Sequence, residues 1–582
     1  MVQNKEVKTP EEVRTYLGTQ APLAFDCETT GLNYYKADLL SASFYDGNGT
    51  ALHCPREVLP PDVVHRIFNG RQVIGHHLKF DVAFITKIGT AWTRRYPYDD
   101  LTKTDDTKIK AWLLDENCSS ALKDVSKRIL DYDQMTFKEL LLTGGIKRGV
   151  PEDWLDLVDK EALVNYACDD SVNTFELNEC LHISKDLRYA YDLELAIQPI
   201  VLKLETTGIP LDEGVLTDMQ DDYCQSRDIV EKLMYKKTGV FNLNSPKQIG
   251  EMFYNQLNYP ILQRTKKGQP ATGVDVIEML ARGGYELPKL LLKYRHWDKL
   301  INTYTRPFLE QQINGRILAK YNTTGTVTGR FSSQAPNLQN IPLEIRKACI
   351  AEPGKKLIVA DYNQVELRVM AHFSKDKMLR DTFMSGGDIH MEVAKMMLGE
   401  ETEEARSKAK GISFGLLYGM SPDTLARDLG LYPLEARGLM RKYFSFMPDV
   451  GKWIEQTKRF AMTNGYVTTL TGRYRRFDFE HNNTQVAYRQ AVNSVIQGSA
   501  ADIIKLAMLN LDKVLPNDVE LCAMIHDELV FQCPDEMVDD AVKVITEQME
   551  DLSELGFDFV PLQVNVLVCN SWAEAKQKGD KI

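Results

Sequence analysis

The stretches KKLIVAD (355–361) and ELCAMIHDELVF (520–531) decide the fold of this chain. Each is a short apolar run of the kind that forms a buried strand. The first ends on Asp361, and the second is interrupted by Asp527. Between them lies RSKAKGISFGLLYGM (406–420), where Arg406, Lys410, Phe414 and Tyr418 recur at every fourth residue. On a helix that spacing keeps two cations and two aromatics near one another along one slowly turning face. A pair of carboxylates can hold divalent metals, and a cationic helix can hold phosphates opposite them. The chemistry this implies is metal-assisted phosphoryl transfer from a nucleotide.

Working outward, 582 residues exceed what one core can organise, and roughly three or four domains are expected. Hydrophobic residues at 43% and charged residues at 26% describe an ordinary globular chain without repeats. No apolar stretch approaches the roughly 20 residues that span a bilayer, and MVQNKEVKTPEEV lacks the apolar region of a signal peptide. A cytoplasmic protein is therefore expected, in a host cytoplasm if phage-encoded. The ten cysteines form no CxxC pair, so neither a zinc knuckle nor a disulfide framework is signalled. A net charge of -12 argues against indiscriminate adhesion to nucleic acid, because phosphate binding depends on cations displacing counterions. Any nucleic-acid surface must be local. Its candidates are QRTKKGQ (Arg264, Lys266, Lys267), KYRHWDK (Lys293, Arg295, Lys299) and TGRYRR (Arg473, Arg475, Arg476), each of which also reads as a solvated face.

Residues 20–185 alternate strand and helix patterns and read as an α/β domain. From about 190 to 315 the pattern is mostly helical, with Ser245, Pro246 and Gln248 offering an N-cap, a first-turn proline and a capping-box partner. The segment TTGTVTGRFSSQAPNLQNIP (323–342) reads as a loop with short strands ahead of Asp361. Residues 386–465 are again helical, and the last hundred combine a long helix with the apolar strands around Asp527 and PLQVNVLVC (561–569).

A second acidic set lies near the N-terminus. On a strand through AFDCETTGL, Asp26 and Glu28 point to the same side and could share a metal. Asp81 follows VIGHHLKF, while Tyr166 and Asp170 stand four apart on a predicted helix. Four carboxylates and a phenol suffice for two metal ions, an oriented water and a stabilised leaving group, which is the equipment of phosphodiester hydrolysis. Singly, each piece also reads as a surface acid or a core tyrosine.

In order and spacing these segments resemble the three motifs of DEDDy 3'-5' proofreading exonucleases. The resemblance implies Asp26, Glu28, Asp81 and Asp170 as metal ligands and Tyr166 as the residue positioning the attacking water. The family usually has Asn where this chain has His77. From about residue 200 onward, ETTGIPLD, FNLNSPKQIG, TGRFSSQAPNLQNIP, VADYNQVELRVMAH, DIH, RSKAKGISFGLLYGM, AVNSVIQGSAADIIK and MIHDELVF stand in the order found in family A DNA polymerases.

That resemblance implies an α+β multidomain protein: an RNase H-like α/β exonuclease domain (1–188), then a right-hand polymerase. Its helical thumb would be 189–318, its helical fingers 386–480, and its antiparallel palm 319–385 with 481–582. It assigns Asp361 and Asp527 to two magnesium ions, with Glu528 nearby and manganese as an alternative cation. Arg406 and Lys410 would clamp the deoxynucleoside triphosphate, with Lys410 also catalytic. Phe414 and Tyr418 would pack on its sugar and base. His390 and Gln364 would add contacts, and Glu366 would be a steric gate against ribose. Arg330, Arg489, Asn493, Gln497 and His526 would touch the primer-template DNA, the first four in its minor groove.

Only about 20 residues precede the exonuclease motifs, and the minimal architecture resembles phage-type replicative enzymes. Helicase and single-strand-binding partners cannot be named from the sequence. Two rivals are a single-subunit RNA polymerase, disfavoured by Glu366 and the exonuclease motifs, and an inactive DNA-binding relative, disfavoured by two intact acidic sets.

Overall fold

The computed structural model describes residues 2–88, 103–151, 154–417, 419–481 and 483–579. Near the N-terminus six strands form one mixed sheet in the spatial order Gln3–Glu6, Thr50–Pro55, Leu39–Tyr45, Leu23–Thr29, Val73–Gly75, Thr104–Asp106. Leu23, Ala24 and Phe25 are fully buried, so the central strand begins as a two-sided core element. Its far end is only half-buried at Asp26 and Glu28. The 21-residue helix Lys160–Cys180 packs on this strand and on Leu39–Tyr45, bringing Asp170 over the same end.

The second sheet is antiparallel, in the order Glu520–Ile525, Glu528–Pro534, Lys355–Tyr362, Val564–Cys569. The KKLIVAD run behaves as its composition demands: Leu357 to Ala360 are all buried, because the strand lies in the middle of the sheet with helices packed against it. The helix Val538–Glu550 covers it and Val564–Cys569, while Arg188–Thr207 packs on Glu520–Ile525. This sheet shares a continuous core with the helices from Val365 to Val514.

A separate apolar cluster of Met234, Phe253, Ile277 and Leu291 holds together the helical arm that contains Glu213–Thr238 and Glu286–Lys299. Ser245 caps its helix as expected, accepting a hydrogen bond from the Gln248 amide. The Gln248 side chain, however, accepts from the backbone of Asn242 rather than closing a capping box. The helices Pro422–Leu429, Pro433–Phe446 and Pro448–Asn464 each start on a proline, whose missing N–H costs nothing in a first turn. No helix among the described residues is long and apolar enough to cross a membrane.

The basic TGRYRR segment departs from its expected reading. It forms part of the two-stranded ribbon Tyr466–Thr468 and Tyr474–Arg476, and its arginines face protein. Arg473 is 3% exposed, and Arg475 and Arg476 both pair with Glu116 of the N-terminal module. These cations are consumed by acids distant in sequence, so the segment is an internal contact rather than a free phosphate-binding patch. QRTKKGQ, in contrast, is an exposed hairpin turn closed by hydrogen bonds between Thr265 and Gln269 and between Gly268 and Thr265.

Candidate active sites

At the N-terminal site, pleating sends Asp26 and Glu28 to one side of their strand, and helix packing adds Asp170. One carboxylate oxygen from each of these three lies within 4.8 Å of the others. Asp81 approaches from the helix Leu78–Ile85, its Oδ1 accepting from the Cys27 amide at 3.0 Å. It lines a cleft of about 330 Å³ together with Asp26, His77 and Lys108.

Crowding of like charges in a partly dry site opposes ionisation. Burial, then the Asp170 charge, pushes Asp26 up to about 8. Burial and the Asp26 charge drive Glu28 and Asp81 well above the usual carboxylate range. Burial also raises Asp170, against the opposing pull of Lys123. Such a set is short of positive charge. All-oxygen ligands in this arrangement fit hard divalent cations.

Tyr166, one helical turn before Asp170, is held as the neutral phenol by burial and by the surrounding carboxylates. Lys123, which the sequence reading passed over, approaches Asp170 Oδ1 at 3.3 Å and stands 4.1 Å from the centre of the Tyr166 ring. It is the local counter-charge, and in sequence it looks like any lysine of an amphipathic helix. His77 adopts a left-handed backbone, with its Nδ1 2.7 Å from Lys108 Nζ. An ammonium has only hydrogens to offer, so Nδ1 accepts and the ring hydrogen sits on Nε2. Burial and the Lys108 charge hold the imidazole neutral, well below its ordinary pKa.

At the second site, Asp361 ends its strand opposite Glu528 on one side and Asn565 on the other. Asp527 occupies the two-residue turn with His526, and its carbonyl accepts from the Tyr362 amide at 3.3 Å. The two aspartates therefore come from backbone segments that touch at one corner of the sheet. Gln339, quoted within a motif but given no role by the sequence reading, fastens this corner. Its Oε1 accepts from the His526 amide at 2.9 Å and its Nε2 donates to the Met524 carbonyl at 3.0 Å. A small cavity is lined by Arg330, Gln339, His526 and Asp527.

Glu366 forms an ion pair with Arg330. Burial raises its pKa, Arg330 opposes the rise, and the nearby Asp527 charge adds to it. Gln364 and His526 both adopt positive φ, as does His77 at the first site. Three of the eight such non-glycine residues among the described residues thus fall at the two sites, where strained backbone is held by its surroundings.

Glu528 lies near the aspartates as expected, opposite Asp361 in the sheet, but its carboxylate is not open. It is buried, with Oε1 accepting at 3.0 Å from Arg346 and from the Trp572 indole, because two distant segments supply the donors that a buried carboxylate requires. His390 is 1% exposed, a packed imidazole on the helix Ile389–Leu398. Burial, helped by the Lys410 and Arg406 charges and opposed by Asp388, lowers its pKa to about 4.

Arg406, Lys410 and Phe414 share the helix Glu403–Leu417, while Tyr418 lies outside the described residues. Lys410 is exposed, and Arg406 donates from Nε to Asp388 Oδ2 at 2.6 Å. Arg489, Asn493 and Gln497 project from one face of the helix Thr484–Val514. Gly498, next to Gln497, leaves room for the Thr328 carbonyl, so the TGR loop carrying Arg330 lies against this helix.

A family model described as DNA polymerase family A matches residues 213–574. The chain belongs to DNA polymerase family A. A second model, described as 3'-5' exonuclease, matches residues 4–184 and covers the first acidic site. DNA polymerase I of Pseudomonas aeruginosa is 32% identical over 95% of this chain and 63% of its own length. The thermostable DNA polymerase I of Thermus filiformis is 37% identical over 68% of this chain and 49% of its own. The chain thus spans less than two thirds of these relatives. Both are bacterial, which gives the phage-type expectation no support. A solved structure, the POL domain of Pol1 from M. smegmatis in complex with DNA primer-template and dNTP, superposes with a TM-score of 0.82. It covers 98% of this chain and all of that one at 25% identity.

Proposed function

We propose that this family A chain extends a DNA primer from deoxynucleoside triphosphates at the Asp361–Asp527 corner and excises 3'-terminal nucleotides at the Asp26–Asp170 cluster. The observation that carries the reading is the meeting of two aspartates, 166 positions apart in sequence, at one corner of an antiparallel sheet. The M. smegmatis complex supports primer-template DNA and dNTP as the ligands. The division into exonuclease 1–188, thumb 189–318, palm 319–385 and 481–582, and fingers 386–480 belongs to this proposal.

Asp361 and Asp527 would hold cations at one site, and Asp26, Glu28, Asp81 and Asp170 at the other. Magnesium, two ions per site, or manganese on the same oxygens, would supply Lewis-acid stabilisation of phosphate charge. The protein's own groups orient and select. Arg406, fixed by Asp388, and Lys410 bind phosphates, one as a planar fork and the other as a point charge. Glu366, braced by Arg330, crowds a ribose 2'-hydroxyl. Arg330, Arg489, Asn493 and Gln497 supply donors to minor-groove acceptors common to all correct pairs. Phe414 and Tyr418 are assigned to sugar and base, and Gln364 and His526 to the nucleotide and the template-primer. Tyr166, as a phenol, orients a water for hydrolysis.

Primer extension with magnesium, from matched and mismatched 3' ends, tests both sites. Asp361→Asn is expected to abolish extension and leave excision, and Asp26→Ala with Glu28→Ala to do the reverse. Preference for ribonucleotides, or extension surviving Asp361→Asn, would overturn the polymerase assignment.

A further inference from the structure

The ribbon that carries TGRYRR touches both proposed catalytic modules. On one side Arg473 enters a buried ionic cluster. Its guanidinium pairs with Asp502, donates to the Gly498 carbonyl at 3.1 Å and stands 3.8 Å from Glu194. Lys505, fully buried, pairs with the same Glu194. The cluster carries two cations and two carboxylates, so it is balanced in charge where water is excluded.

Arg473 also backs the polymerase loop directly. Gly329 has φ +76°, and a Cβ there would fall 1.1 Å from the Arg473 guanidinium. The next residue is Arg330, which braces Glu366. Toward the N-terminal module, Arg475 reaches Glu116 at 3.2 Å and Arg476 reaches it at 2.7 Å. The Arg476 guanidinium also donates to the Leu113 carbonyl at 3.2 Å. Glu116 has a side chain only 2% exposed and belongs to the exonuclease module, one turn of chain after Trp112, whose ring lies 5.6 Å from Arg473.

We propose that the ribbon 466–476 is a positioning element that couples the exonuclease module to the Gly329–Arg330 loop. Glu116 fixes the ribbon, the ribbon's Arg473 supports the loop, and the loop's rigidity sets how strongly extension discriminates a mispaired 3' end. The coupling rests on the two activities proposed above. It is carried by contiguous packed and charged contacts, which is the physical form such coupling takes.

The test uses the full chain with Glu116→Gln, which keeps shape and removes charge. Three quantities are read: extension of matched ends, extension of mismatched ends with the exonuclease disabled by Asp26→Ala and Glu28→Ala, and excision of single-stranded DNA with those residues intact. The ratio of matched to mismatched extension is expected to fall about tenfold, the equivalent of one charge-assisted hydrogen bond, while single-strand excision stays unchanged. Should Glu116→Gln fold poorly, Arg475→Gln at the edge of the contact reads the same ratio. A lowered melting temperature with an unaltered ratio would reduce the ribbon to a structural clamp and overturn the proposal. A parent chain that extends no matched primer overturns both readings, whereas a normal parent with an indifferent variant overturns this one alone.

Discussion

Asp26 shows how one residue can report the state of a whole site. Its carboxyl is pushed up to about 8 by burial and by Asp170, so between roughly pH 4 and 8 the folded chain holds a proton that the unfolded chain has released. With the folded state binding more protons, stability falls as pH rises through that window. In chelator, the wild-type melting temperature is therefore expected to drop between pH 5 and pH 8. Asp26→Asn, which cannot ionise, should drop less, with the gap widest at pH 8. A divalent cation should restore the wild type and do little for the variant. Parallel thermal-scan curves for the two proteins across this range would show that Asp26 is not strained by its neighbours. His77 works against this trend below its ordinary pKa of 6.5, because it stays neutral in the folded chain while the unfolded imidazole takes up a proton; wild type and Asp26→Asn share that contribution, so it cancels from the gap between them.

At the scale of elements, Asp388 joins two helices with its two oxygens. Oδ1 caps the helix Ile389–Leu398 by accepting from the His390 and Met391 amides, and Oδ2 holds Arg406 of the helix Glu403–Leu417. The two duties separate by substitution. Asp388→Asn keeps a capping oxygen and loses the charge that orients Arg406, so its melting temperature should stay near wild type while KM for the deoxynucleotide rises. Asp388→Ala loses the cap as well and should cost about 1 kcal/mol of stability in addition. Equal KM values for wild type and Asp388→Asn, measured by steady-state extension, would remove Asp388 from nucleotide binding.

The same scale explains what could be read beforehand. Asp361, Asp527 and the helix 403–417 were legible because strand runs and fourfold spacing are local signals. The settings of Glu528 and TGRYRR were hidden because their partners are remote. Arg346 lies 182 positions from Glu528, and Glu116 lies 360 positions from Arg476. A charge looks solvated until the chain that neutralises it arrives. Gln339 was hidden for a related reason, since a glutamine that hydrogen-bonds a distant hairpin leaves no pattern of its own.

Across the whole molecule, the N-terminal module is joined to the remainder by a second buried contact, Lys79 with Glu205. Lys79 sits two residues before Asp81, and its Nζ lies 2.5 Å from Glu205 Oε1 and donates to the Tyr321 carbonyl at 2.8 Å. The same Glu205 oxygen accepts from the Tyr321 amide, and the Tyr321 hydroxyl accepts from the Met524 amide at 3.3 Å, three residues before Asp527. Both charges are almost fully buried, at 2% and 1% exposure. Removing one partner leaves the other unpaired in a dry interior, which typically costs about 3–5 kcal/mol, whereas removing both can be nearly neutral. Lys79→Met should therefore lower the global melting temperature sharply, and Lys79→Met with Glu205→Leu should recover most of the loss. The recovery would not be complete, because Glu205 also satisfies the Tyr321 amide. Additive losses in this double-mutant cycle, measured by denaturant unfolding, would mean that the two side chains act independently and that this pair does not join the modules.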